Sequence, residues 1–206
     1  VQAVVYGDLL MKLLFGTRPY EKIKGTAQNV YEKWVYLCGK SLQSGSLKEF
    51  KNNIYAMVDD FLEIETKDTI KPKVGIVGEI LIKYHAFGND NLVKRLEAEG
   101  AEVFSPELMG FVKYVCYNAI EKQKILKTSK AGAWVYARVL DLLDLYEAPV
   151  RKALKGTKYR PVTNIYHLGK NVEGVLSTGN QTGEGWFLTA EMLELIHDGI
   201  NNIVCV

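Results

Sequence analysis

Along the first quarter of the chain the apolar positions fall at helical spacing. Leu9, Leu10, Leu13 and Leu14 recur three and four residues apart until Gly16, and Pro19 just beyond acts as a stop. A second amphipathic run, Ala27 to Leu42, puts Val30, Trp34, Val35 and Leu37 near one stripe, and Gln43-Ser44-Gly45-Ser46 is turn chemistry. A third run, Leu47 to Ile64, carries Phe50, Ile54, Met57, Val58, Phe61 and Leu62 at the same intervals. The pattern predicts a helical arm over residues 1–66.

The period changes after a polar, Pro-bearing joint at Thr66–Pro72. KVGIVGE (73–79) is a short continuous apolar run, which predicts a parallel strand buried on both faces. A polar loop from Lys83 to Asp90, a helix NLVKRLEAEG capped by Gly100, and a second strand AEVFSP follow. From Glu107 to Ser177 the pattern is helical throughout: Leu108–Leu126, then Ala131–Leu154 with Pro149 as an end or kink, then Thr163–Leu176. Thr189 is placed to cap a last helix through Ile196, before a closing strand Asn202–Val206. This order predicts an α/β fold over residues 73–206: a doubly wound parallel sheet, strand order 2-1-3, with a large helical insert. Ligands of such sheets bind beyond the carboxyl ends of the strands, here between the first and the third. The closing strand predicts a following segment, so the chain reads as a piece of a longer protein.

Composition narrows the picture. Twenty-six basic against 24 acidic residues leave a net charge of +2, which gives no reason to expect nucleic acid or a membrane surface as a partner. No apolar run approaches the roughly 20 residues of a membrane-spanning helix. Three widely spaced cysteines, Cys38, Cys116 and Cys205, read as reduced cytoplasmic thiols with no local metal motif.

Two segments combine groups able to do chemistry. GEILIKYHAFGNDN (78–91) follows the first strand and offers Glu79, Lys83, Tyr84, His85, Asn89 and Asn91. The plain alternative is that Asn89 only caps a helix while Glu79 and Lys83 are solvated or paired with each other. GNQTGEGWF (179–187) offers Gln181, Gly183, Glu184 and Trp186 beside a helix start. It matches neither nucleotide fingerprint, and its plain alternative is a structural loop with Trp186 in the core. His167 and His197 read as surface or capping residues.

The strings KPKVGIVGEILIKYHAFGNDNLVKRLEAEGAEV and GNQTGEGWFLTAEMLELIHDGINNIVCV resemble proteins of the 2-hydroxyglutaryl-CoA dehydratase type. The likeness is in particular to the large fused proteins known as CoA-substrate-specific enzyme activases, in the region after their ATPase repeats. RPYE (18–21), with the helical YEKW segment after it, fits the same stretch, so the resemblance covers nearly the whole chain. It implies Rossmann-like domains that hold an iron–sulfur cluster and an acyl-CoA in a cleft, with an ATPase or activator domain as partner. Its cluster cysteines would lie outside these residues, so that the chain itself would bind no cofactor and be inactive alone. Glu79, Lys83 and His85 would then line one side of the cleft, with Gln181 and Glu184 opposite. Two other functions fit the same sequence. One is a plain CoA- or nucleotide-binding module using helix starts at Asn89 and Thr189; the other is an interaction scaffold, a homodimer for instance, working through the arm.

Overall fold

Three strands, β1 (Lys73–Val77), β2 (Glu102–Phe104) and β3 (Asn202–Cys205), form one parallel sheet in the order β2-β1-β3 in the computed structural model, which describes residues 1–206. Val74 of β1 stands opposite Val103 on one side and Asn202 on the other. Being central, β1 has both faces covered, and Ile76 and Val77 are each 1% exposed. That is why the run is continuously apolar rather than alternating.

Two glycines let other parts of the chain close onto β1. A Cβ on Gly75 would lie 2.7 Å from Leu195 Cδ1, so a side chain there would push the last helix off the sheet. A Cβ on Gly78 would lie 2.0 Å from the Val206 carbonyl oxygen. That carbonyl instead accepts the Glu79 N–H, which extends the β1–β3 pairing to the carboxyl edge.

Nine helices accompany the sheet. The arm is α1 (Gln2–Thr17), α2 (Thr26–Ser44) and α3 (Leu47–Leu62). Glu21 starts α2 by accepting the Gly25 and Ala27 N–H groups at 2.7 and 2.8 Å, and Ser46 starts α3 by accepting from Glu49 N. Between the strands lie α4 (Ile80–Tyr84), α5 (Leu92–Ala98), α6 (Leu108–Leu126), α7 (Lys130–Leu154), α8 (Ile165–Asn171) and α9 (Gly185–His197). No helix is long and apolar enough to cross a membrane.

The largest core joins the arm to the second half of the chain. Leu9, Leu13, Ile54, Met57 and Phe61 pack in one cluster with Met109, Leu143, Val150 and Leu154. Leu13 is fully buried there, and truncating such a leucine to alanine costs about 2–5 kcal/mol. A second cluster, built on Trp186, Phe187 and Tyr117, ties α6 to α8 and α9.

Four local expectations are corrected. Pro149 neither ends nor breaks α7, which continues to Leu154, because Val150 and Leu154 beyond it dock in the main core and offset the lost bond. The polar loop after β1 opens with the short α4, since Glu79 caps it through the Leu81 and Ile82 N–H groups. Residues 172–176 turn away from the helix expected to reach Leu176, and α8 ends at Asn171. Thr189 lies inside α9, its hydroxyl donating to the Gly185 carbonyl, because the helix starts four residues earlier to seat Trp186 and Phe187.

Candidate functional site

The loops that follow β1 and precede α9 meet at the carboxyl edge of the sheet. The Ile80 N–H, at the start of α4, donates to Glu184 Oε1 at 3.3 Å. Glu184 is 8% exposed and its other carboxylate oxygen, Oε2, is buried without a partner. Its backbone stands at φ 60°, a left-handed conformation that side-chain-bearing residues rarely adopt. Burial raises the Glu184 carboxyl above its ordinary value, the Ile80 N–H and Lys83 oppose the rise, and Glu79 adds to it. An unpartnered buried oxygen on a residue with a left-handed backbone makes Glu184 a candidate for ligand contact.

Beneath it, Lys83 of α4 reaches Glu191 of α9 at 3.3 and 3.4 Å. Both side chains are almost wholly inaccessible, at 1% and 3% exposure. Burial pushes the Glu191 carboxyl up to about 7, with Lys83 pulling the other way. Glu191 borders a void of about 20 Å³ that Glu107, Lys113, Arg160 and Glu194 also line, room for about one water. Glu107 contacts the Lys12 ammonium, and although burial raises its carboxyl, Lys12 and Arg160 outweigh burial and hold it at about 2.

On the arm side, a groove of about 340 Å³ runs between α1 and α2 on one wall and the loop after β1 on the other. Arg18, Tyr31, Lys83, Tyr84, Asn91 and Lys94 are among its lining residues. Arg18 is held in place by a two-pronged bond to Glu97 at 2.8 and 2.9 Å. Lys94 has no carboxylate within 4.0 Å.

The ten candidate residues from sequence divide cleanly. Lys83, Tyr84, Asn89 and Asn91 line the groove, and Glu79 and Glu184 converge on the start of α4. Tyr84 also fastens the loop by donating to the Pro106 carbonyl, and burial raises its phenol well above the ordinary range. Asn89 staples α4 to α5: its amide donates to the Ile82 and Lys83 carbonyls and its oxygen accepts from Leu92 N. Asn91 precedes α5 with φ 54°, and that helix has only seven residues, too few for the anion-binding start expected of it.

His85 turns away from the cleft, its Nδ1 accepting from Gly88 N in an exposed turn. Gly183 supplies a φ of 61° in the turn before α9. Gln181 is held by backbone, its amide donating to the Asn118 carbonyl and its own carbonyl accepting from Tyr114. Trp186 is 0% exposed, bonded through its indole N–H to Asn118, and is core rather than cleft.

Sequence reasoning missed Glu191. The signal was present, because Phe187, Glu191 and Leu195 stand four residues apart on the buried stripe of α9 and a carboxylate in such a stripe demands a partner.

The thiols do not fit an iron–sulfur cluster. Cys38 belongs to the arm core, Cys116 to the core around Trp186, and Cys205 is exposed on β3. Burial pushes the Cys38 thiol up to about 12 and raises Cys116 too, away from the thiolate a cluster requires. No group of three or more His, Cys, Asp or Glu side chains is arranged to hold a metal ion. No family model matches the chain, and no curated protein or solved structure does either.

Proposed function

We propose that this chain is an internal module of a 2-hydroxyacyl-CoA dehydratase-like or CoA-substrate-specific activase-like protein. It is a Rossmann-like domain with a helical insert between β2 and β3, and it lines an acyl-CoA cleft. The observation that carries this reading is the Ile80–Glu184 bond, which joins the two segments bearing the resemblance at the carboxyl end of a parallel sheet. Lys94, Asn91 and Tyr31 receive polar and aromatic parts of coenzyme A in the groove. The Lys83–Glu191 pair and Glu184 face the acyl end, where a buried ammonium favours negative charge on a carbonyl oxygen. This chain's own thiols take no part, and the chain alone is neither an ATPase nor a dehydratase.

Calorimetric titration of the whole chain with coenzyme A and with acetyl-CoA tests the proposal. Both bind saturably, Lys94→Met weakens both, and Lys83→Met weakens acetyl-CoA more than coenzyme A. Absence of saturable binding at millimolar ligand defeats the reading. Binding that ignores both the acyl group and Lys83 supports a plain CoA- or nucleotide-binding module, the reading that unpaired Lys94 favours by itself.

A further inference from the structure

A second groove, of about 480 Å³, opens at the amino end of the sheet, opposite the crevice described above. It is bounded where β1 begins at Lys73, where β2 begins at Glu102 and where Ile200 leads into β3. Its size is that of small-molecule pockets in general, roughly 300–1,000 Å³.

The state of its cations sets it apart. Elsewhere the cavity-facing basic side chains are mostly matched: Lys12 with Glu107, Arg18 with Glu97, Lys83 with Glu191 and Lys113 with Glu147. In this groove only Arg160 is so matched, by Asp198 and Glu194. Lys67, Lys73 and Lys158 line it with no carboxylate within 4.0 Å. Glu102 lies among them, its carboxylate accepting the Tyr20 hydroxyl at 2.9 Å, and one carboxylate beside three ammonium groups leaves the groove with a positive excess. Desolvation lowers the Lys158 amine below the usual lysine range against the pull of Glu102, which leaves a cost that an anion would remove.

The apolar part of the lining is aromatic. Phe104 lies beneath the Lys73 ammonium, 5.8 Å from ring centre to nitrogen, and Tyr159 lies 5.3 Å from that of Lys158. Tyr20, Pro161 and Ile200, the last 1% exposed, also border it. Tyr159 is locked before any ligand arrives. Its hydroxyl is 2.7 Å from Thr17 Oγ1 and its ring rests on Gly16, where a Cβ would come within 3.1 Å. Such pre-ordering reduces the entropy lost on binding.

We propose that this groove binds a small phosphomonoester carried on a flat aromatic body, the phosphate held by Lys67, Lys73 and Lys158 and the ring laid against Phe104 and Tyr159. Three ammonium groups suit a dianion, and rings beside two of them fit a ligand whose flat part begins next to its charge. The site is independent of the carboxyl-edge crevice, so either can fail alone.

The test is titration of the whole chain with phenyl phosphate, inorganic phosphate and phenol, read by calorimetry and by amide shifts in the NMR spectrum. Phenyl phosphate is expected to bind saturably and at least about tenfold tighter than either fragment, with shifts at Phe104 and Ile200 and none at Ile80. Lys73→Met and Lys158→Met each weaken it about tenfold, the loss of one charge-assisted contact, while Lys94→Met leaves it unchanged. The shifts of the unaltered chain decide the matter even if a variant folds poorly. Inorganic phosphate binding as tightly as phenyl phosphate, shifts outside the groove, or no saturation at millimolar ligand overturns the proposal.

Discussion

The structure buries two lysine–glutamate pairs, and they are built differently. In Lys113–Glu147 the nitrogen–oxygen distance is 2.8 Å, the ammonium also donates to the Thr163 carbonyl at 2.9 Å, and Arg151 stands 3.6 Å from the carboxylate. In Lys83–Glu191 the distances are 3.3 and 3.4 Å, no further bond reaches either group, and the unpartnered oxygen of Glu184 lies nearby. The first pair is closed on both sides, since its ammonium has a second acceptor in the Thr163 carbonyl and its carboxylate a second cation in Arg151. The second is open, since its ammonium has no acceptor besides Glu191 and both contacts are long. Burial is nearly the same in the two pairs; the completeness of the bonding is what differs.

Removing one partner of the closed pair has the largest expected effect. Lys113→Met leaves the Thr163 carbonyl without its donor and buried Glu147 without its main counter-charge, and it costs about 3–5 kcal/mol of stability in urea unfolding. A loss below about 1 kcal/mol would mean that the pair is not closed. Lys83→Met costs less, about 1–3 kcal/mol at pH 7, because Glu191 is already near its own pKa and takes a proton rather than staying charged. Equal losses in the two variants would erase the distinction drawn above.

The pH dependence of stability sharpens the contrast. Raised from the ordinary value of 4.5 to about 7, Glu191 keeps in the folded state a proton that the unfolded chain releases. Its contribution is complete below about pH 4.5 and is lost as pH rises towards about 7, with a slope of at most about 1.4 kcal/mol per pH unit. Asp8, which accepts the Leu108 and Met109 N–H groups at the start of α6, is also raised by burial to about 7 and adds a slope of the same sign. Glu191→Gln removes its own share and leaves that of Asp8. An unchanged profile in this variant would show that Glu191 does not titrate in the window. The smallest effect belongs to Arg151→Met, within about 0.5 kcal/mol, because this partly exposed side chain stands 3.6 Å from Glu147 and otherwise pairs with exposed Asp144. A larger loss would make Arg151 a third member of the closed pair.

The sequence by itself determined the sheet and most of the helices. A helical stripe of leucines, a β-branched run between Pro72 and Gly78, and glycines at helix ends depend on neighbours a few residues away, so the strand bounds and the order β2-β1-β3 were legible. So was the meeting of the segments 78–91 and 179–187, because connection rules place both beside the central strand. What lay beyond sequence were the partners of charges set into apolar stripes. Lys83 and Glu191 are 108 residues apart and Ile80 and Glu184 are 104, and nothing in either local pattern names the other. Likewise Asn89 and Trp186 offered the same polar groups whether they faced a ligand or fastened the fold, until the packing of α4 on α5 and of α9 on α6 turned them inward. Periodicity fixes which side of an element is buried, but only the assembled elements decide which buried polar group meets which, because that choice depends on distances across the fold rather than along the chain.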